Sequence, residues 1–130
     1  IELFITENDE ILINEVAPRP HNSGHHTIEC CFTSQFDQHI RSILNLPLGN
    51  TDLKIPGIML NLVGENKIEG HVKYENIDKI LDIPGASAHF YGKKKSRLNR
   101  KMGHITVVNN EIEEALKIGK NIKKIVKVTA

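Results

Sequence analysis

Three groups of residues in this 130-residue chain have the types and spacing to do chemistry. Glu2 and Glu15 lie in two apolar runs, residues 1–6 and 11–16, that flank Glu7-Asn8-Asp9-Glu10 and read as a β-hairpin. An even number of loop residues makes paired positions sum to seventeen, so that Glu2 faces Glu15 and Leu3 faces Asn14. Opposed residues share a face at a Cβ separation of ~5 Å, and two carboxylates so placed repel unless something positive sits between them. With Asn14 beside them they form a hard-oxygen site suited to a Mg²⁺ ion shared with a nucleotide's phosphates. A solvated sheet edge whose charges simply face water is the competing reading, and pairing alone leaves both open.

The second group follows at once. Arg19, His21, Asn22, Ser23 and His25 put a forked cation, imidazoles, an amide and a hydroxyl within seven residues, beside Gly24, where backbone amides can approach an anion. That inventory suits an oxyanion. His21, His25, His26 and Cys30 also raise zinc, but their spacing fits no closed tetrahedral site. His39 and His71 read as ordinary loop or surface histidines. The third group is Lys93-Lys94-Lys95-Ser96-Arg97-Leu98-Asn99-Arg100-Lys101, with six basic residues in nine. A basic loop is a solvated turn or a phosphate contact. It lacks the interleaved aromatics and recognition helix of a nucleic-acid binder, so no nucleic-acid partner is expected.

These groups need a scaffold, and composition permits one. With 39% apolar, 25% charged and 5% aromatic residues and a net charge of +1, the chain has the make-up of a globular domain. No apolar run approaches the roughly 18 residues of a membrane span, so no membrane partner is expected. Adjacent Cys30 and Cys31 cannot staple distant segments, which together with the lack of a recognisable signal sequence predicts a reduced, cytoplasmic setting. The opening Ile1 to Thr6 reads as the middle of a strand and suggests the tail piece of a longer protein.

The hairpin places Leu3, Ile5, Leu12 and Val16 on one face and Phe4, Ile11 and Ile13 on the other. Apolar residues on both sides predict cover on both sides, as in a layered α/β domain. Residues 17–27, with two prolines and three histidines, form a loop. Thr33 or Ser34 caps an amphipathic helix to about Leu46, stopped by Pro47 and Gly49. Beyond a connector at 50–54, strands are expected at 55–63, 86–91 and 105–108, and helices at 76–81 and 111–124, the last with lysines at its C-terminal end. Short strands parted by glycine-bearing turns suggest a small antiparallel sheet or half-barrel.

The run Asn14-Glu15-Val16-Ala17-Pro18-Arg19-Pro20-His21-Asn22-Ser23-Gly24-His25 begins a wider likeness. With Thr33-Ser34-Gln35-Phe36, Leu46-Pro47-Leu48-Gly49, Pro84-Gly85, Tyr91-Gly92-Lys93 and Arg100-Lys101-Met102-Gly103-His104, it resembles the C-terminal part of the N5-carboxyaminoimidazole ribonucleotide synthetases. These are ATP-grasp enzymes of purine biosynthesis, also found fused in fungal phosphoribosylaminoimidazole carboxylase. The likeness implies an α/β (α+β) fold, with residues 1–50 closing an ATP-grasp domain and 51–130 forming a small antiparallel β half-barrel domain with a terminal helix. It implies that bicarbonate is phosphorylated by ATP to carboxyphosphate, which carboxylates aminoimidazole ribonucleotide and leaves ADP and phosphate. By position, Glu2 and Glu15 hold Mg²⁺ or Mn²⁺ and Asn14 adjoins the ATP phosphates. Arg19, His21, Asn22 and Ser23 line the carboxyphosphate pocket. Lys93, Arg100 and Lys101 hold the ribonucleotide's 5′-phosphate, with Arg97 as a substitute. A homodimer is expected of the complete enzyme, and little ATP binding or turnover of this chain alone. A stand-alone anion or nucleotide-phosphate binding module with a vestigial metal site is the alternative.

Overall fold

A computed structural model describes all 130 residues. The chain opens with the hairpin, β1 (Glu2–Ile5) and β2 (Ile11–Glu15). Its register differs from expectation. Thr6 and Glu10 close the loop through a bond from Thr6 N to Glu10 O at 2.9 Å, and Asp9 lies in the left-handed region at φ 59°. A left-handed third residue makes the loop odd in length, so Leu3 pairs with Ile13, Phe4 with Leu12 and Ile5 with Ile11. A register shift between Glu2 and Leu3 then brings Glu15 back opposite Glu2. The predicted Leu3–Asn14 pair is therefore absent, Leu12 joins Phe4, and Ile11 and Ile13 join Leu3 and Ile5. Both faces are exposed, from 48% at Leu3 to 74% at Ile5, so the expected cover is not supplied within this chain.

The loop holds a short 3₁₀ turn at Asn22–Gly24 and then α1 (Thr27–Cys30), a helical turn that the prolines and histidines around it obscure in the sequence. The next helix, α2 (Gln35–Ile43), starts where Ser34 Oγ accepts from Asp37 N at 3.2 Å. It ends before Leu46 because Asn45 turns left-handed at φ 53°. None of its residues is buried, and Ile40 and Ile43 face solvent.

The remainder builds the core. Strand β3 (Gly57–Val63) is followed by the short strands β4 (Gly70–His71) and β5 (Lys73–Glu75), then by α3 (Ile77–Leu81). Next come β6 (Ala86–Phe90), β7 (Lys95–Ser96), β8 (Lys101–Val108), α4 (Ile112–Ile125) and β9 (Lys127–Thr129). The main sheet is antiparallel in the order β3-β8-β6, while β4 pairs with β7 and β5 with β9. Helix α4 packs on β3 and β8. Its Ala115 and Ile122 join Leu62, Ile80, Met102, Ile105, Val107 and Val128 in one buried cluster. Strand β8 begins four residues earlier than predicted. Its start, Lys101-Met102-Gly103-His104, looks loop-like by composition, yet in the middle of a sheet Met102, Gly103 and His104 are all buried.

The α1 turn docks on this sheet. Cys30 O accepts from Lys54 N at 2.7 Å, Cys31 bridges to Leu53, and a Cβ at Gly57 would lie 2.6 Å from Cys30 Sγ. Glycine at 57 is thus what lets the turn approach.

A carboxylate–histidine site joined to a basic loop

Glu2 and Glu15 meet across the hairpin's open end, and Asn14 Nδ2 donates to Glu2 Oε1. His21 enters between them. Its Nε2 lies 2.6 Å from Glu15 Oε1 and its Nδ1 3.8 Å from Glu2 Oε2. The group that sits between the opposed carboxylates is, within this chain, the His21 imidazole. Atoms of Glu2, Glu15 and His21 lie within 4.8 Å of one another, the one cluster in the chain with metal-ligand geometry. The atoms of His21, His25, His26 and Cys30 are not brought together within ligating distance.

A half-exposed carboxylate–imidazole contact contributes on the order of 0–1 kcal/mol, too little to fix a loop. Gln35, at the start of α2, does more. Its Oε1 accepts from His21 N at 2.8 Å, and its Nε2 approaches His21 O at 2.7 Å and His25 Nδ1 at 2.8 Å. A Cβ at residue 24 would lie 2.5 Å from Gln35 Oε1, so Gly24 leaves room for the amide. Ser23 completes the turn, with Oγ at 2.8 Å from His21 Nδ1. Thr27 Oγ1 donates to Gly24 O at 2.6 Å and accepts from Gln35 N at 2.9 Å. Asn22 sits in the 3₁₀ turn behind His21. Arg19 does not converge with them. Its Nη1 donates to Pro20 O at 3.0 Å, and it lines a cleft of about 590 Å³ with Gln35, Gln38, His39 and Ser42.

The basic residues lie around β7 and the start of β8. Lys93 Nζ donates to Lys101 O at 2.7 Å and stands 5.4 Å from the centre of the Tyr91 ring, while Arg100 Nη1 donates to Lys95 O at 2.9 Å. Lys95 pairs with Glu69, and Arg97 and Lys101 are exposed. Tyr91 lies against the histidine loop, its ring centre 6.1 Å from that of His25.

Residues 57–118 match the family described as the phosphoribosylaminoimidazole carboxylase C-terminal domain, and residues 1–36 match the ATP-grasp domain. Over 114 residues, 88% of this chain and 28% of the relative, it is 49% identical to N5-carboxyaminoimidazole ribonucleotide synthase of Bacillus subtilis. Over 115 residues it is 50% identical to the chloroplastic phosphoribosylaminoimidazole carboxylase of Vigna aconitifolia, covering 86% of this chain and 21% of that one. The crystal structure of the Thermotoga maritima N5-carboxyaminoimidazole ribonucleotide synthetase superposes with a TM-score of 0.92 at 55% identity, over 98% of this chain and 36% of that one. The chain is similar to the C-terminal portion of the N5-carboxyaminoimidazole ribonucleotide synthetases. It spans about a fifth to a third of the lengths of these relatives.

An Aspergillus clavatus synthase solved with ADP and 5-aminoimidazole ribonucleotide also superposes, with a TM-score of 0.81 at 39% identity over 94% of this chain and 33% of that one. Set against the synthetase motifs, the geometry adds two residues that sequence reasoning passed over. Gln35 was visible only as a motif letter, since nothing local signals a clamp fourteen residues away. His104 looked like the edge of a loop but is buried in β8. Burial, with His89 and His25 as neighbouring potential cations, lowers its pKa to about 4, against a smaller opposing effect of Glu29.

Proposed function

We propose that this chain is the C-terminal portion of an ATP-dependent ligase that makes N5-carboxyaminoimidazole ribonucleotide from aminoimidazole ribonucleotide, bicarbonate and ATP. One observation carries the reading: the paired carboxylates, the clamped histidine loop and the lysine-bearing strands are linked through the contacts of His21, Gln35, His25 and Tyr91. Residues 1–50 complete an ATP-grasp domain whose other layers cover the hairpin, and 51–130 form the small second domain.

The donor set fits a hard divalent ion through two facing carboxylates whose oxygens lie within 4.8 Å of one another. Glu2 and Glu15 would hold Mg²⁺ or Mn²⁺, which when bound neutralises phosphate charge. Asn14 contacts the ATP phosphates. His21, Asn22 and Ser23 receive bicarbonate and stabilise carboxyphosphate, whose formation releases ADP, while Arg19 lines the adjoining cleft. The substrate's amine nitrogen then attacks the carboxyl carbon, losing a proton as phosphate leaves. The protein's part is positioning, charge neutralisation and exclusion of water from a labile intermediate. Lys93, Arg100 and Lys101 hold the 5′-phosphate. The two cysteines are free and buried, in keeping with a reduced, cytoplasmic setting, and the complete enzyme pairs as a homodimer.

Kinetics of the complete enzyme test this. Lys93→Ala should raise KM for the ribonucleotide by a loss on the order of 1.5–3 kcal/mol, and Glu15→Gln should cut turnover. An unchanged KM in Lys93→Ala overturns the phosphate assignment. Calorimetry should find no sub-millimolar MgATP binding to the 130-residue chain; finding it would favour a stand-alone nucleotide-phosphate binding module.

A further inference from the structure

Behind the carboxylate–histidine cluster runs a second line of imidazoles. The His104 ring, 2% exposed in β8, stacks on His25 at 4.9 Å and 29° on one side and on His89 at 4.5 Å and 14° on the other. Its Nδ1 lies 2.9 Å from Tyr91 Oη. His89 Nε2 lies 2.6 Å from Glu29 Oε1 in α1. His25 in turn shares the Gln35 amide with His21. Loop, α1 and central sheet therefore meet around one ring.

We propose that His104 is a positioning residue: stacked between His25 and His89 and bonded to Tyr91, it ties the oxyanion loop to the strands that carry the ribonucleotide-phosphate cations. The proposal rests on the functional reading above and deepens it. His104 touches no reacting atom. It acts on the phosphate side through Tyr91, whose ring carries the Lys93 ammonium, and on the loop side through His25 and Gln35.

Two observations separate this from a histidine that merely fills the core. An apolar residue of similar shape would satisfy packing at lower cost, yet His104 Nε2 and Glu29 Oε2 are both buried without a partner. The ring also makes a directional bond to Tyr91 that packing does not require. Its surroundings keep it neutral, as the stack demands. His25 faces it from the loop and His89 from β6, and both oppose its protonation, while Glu29 from α1 favours it. Burial, then His89, Lys101 on β8 and His21, all lower the pKa of His25, and burial raises that of Tyr91.

The test uses the complete enzyme. Ribonucleotide binding is measured by calorimetry without ATP, and steady-state KM and kcat are measured for ribonucleotide and bicarbonate. His104→Phe keeps a flat ring in the stack and removes the bond, and Tyr91→Phe removes the same bond from its other side. Each should weaken ribonucleotide binding about fivefold, the factor of one neutral hydrogen bond, with kcat within about twofold of wild type. The double variant should be no weaker than the weaker single, because both delete one interaction. His104→Asn, which removes the flat stacking ring, should also raise KM for bicarbonate. If His104→Phe fails to fold, Tyr91→Phe alone carries the fivefold prediction. Wild-type affinity in Tyr91→Phe, or additive losses in the double variant, overturns the proposal provided that Lys93→Ala weakens binding. If Lys93→Ala also binds normally, the functional reading itself has failed.

Discussion

The two parts of this chain are held in order by different forces. Of its 17 buried residues only Cys30, Cys31 and Thr33 precede residue 51, while the later part closes around a cluster that includes Ile80, Ile105, Val107 and Ile122. The earlier part relies on directional polar bonds: Gln35 to His21 and His25, Thr27 to Gly24, and Gln38 with both N–H and C=O of Gly49. Apolar burial tolerates small displacements, whereas hydrogen bonds fix orientation. The residues proposed to meet bicarbonate and metal sit where orientation is set by bonds, on top of a core that is set by packing.

This contrast can be broken at several points. Ile122→Ala, in the core, should cost about 2–5 kcal/mol in urea unfolding, because a packed interior cannot collapse around the lost atoms. A cost below about 1 kcal/mol would show that the later part is not the stability centre. Acid should act on the joint between the parts. His104 sits at about 4 in the fold, below the 6.5 of an unfolded histidine, so between those values the unfolded chain binds the extra proton. Stability is therefore full above about pH 6.5 and falls as pH drops toward 4, by a loss on the order of 3 kcal/mol. His25 is shifted in the same direction. Unfolding curves from pH 7 to 4 should show that slope, and His104→Phe should flatten it.

Gln35→Leu should cost about 1–3 kcal/mol, since it strips the clamp from the His21 backbone. Hydrogen exchange at the His21 amide should quicken while the amides of β8 stay protected. Equal quickening in both places would mean that the loop and the sheet open as one unit. The smallest effect belongs to Ile13→Ala on the exposed hairpin, which should fall within about 0.5 kcal/mol in this chain. A larger loss would reveal packing on that face that this structure does not show.

Local patterns carried much of the fold. The apolar spacing of Ile112, Ala115 and Ile122, with lysines at the end, predicts α4 almost to its bounds, and Ser34 caps α2 as a helix-starting serine should. These features depend on neighbours within a turn or two. The hairpin was legible in kind but not in register, because one left-handed residue at Asp9 shifts every pair, and only the bulge beside Glu2 restores the Glu2–Glu15 match. The strands at 73–75 and 127–129 were not legible, since three residues carry too little pattern and each strand is defined by the other.

The chemistry divides in the same way. Residue types alone marked Glu2, Glu15, His21 and the lysine loop, because a carboxylate pair, an imidazole and a cluster of cations have their charge and donor character wherever they lie. Which of them meet was decided only in three dimensions. The stacking of His25, His104 and His89 brings together residues up to 79 positions apart, and the separation of Arg19 from that group follows from the path of the backbone. Side-chain chemistry is a local property, but contact between distant segments depends on how helix and sheet pack, and no short stretch of sequence contains that information.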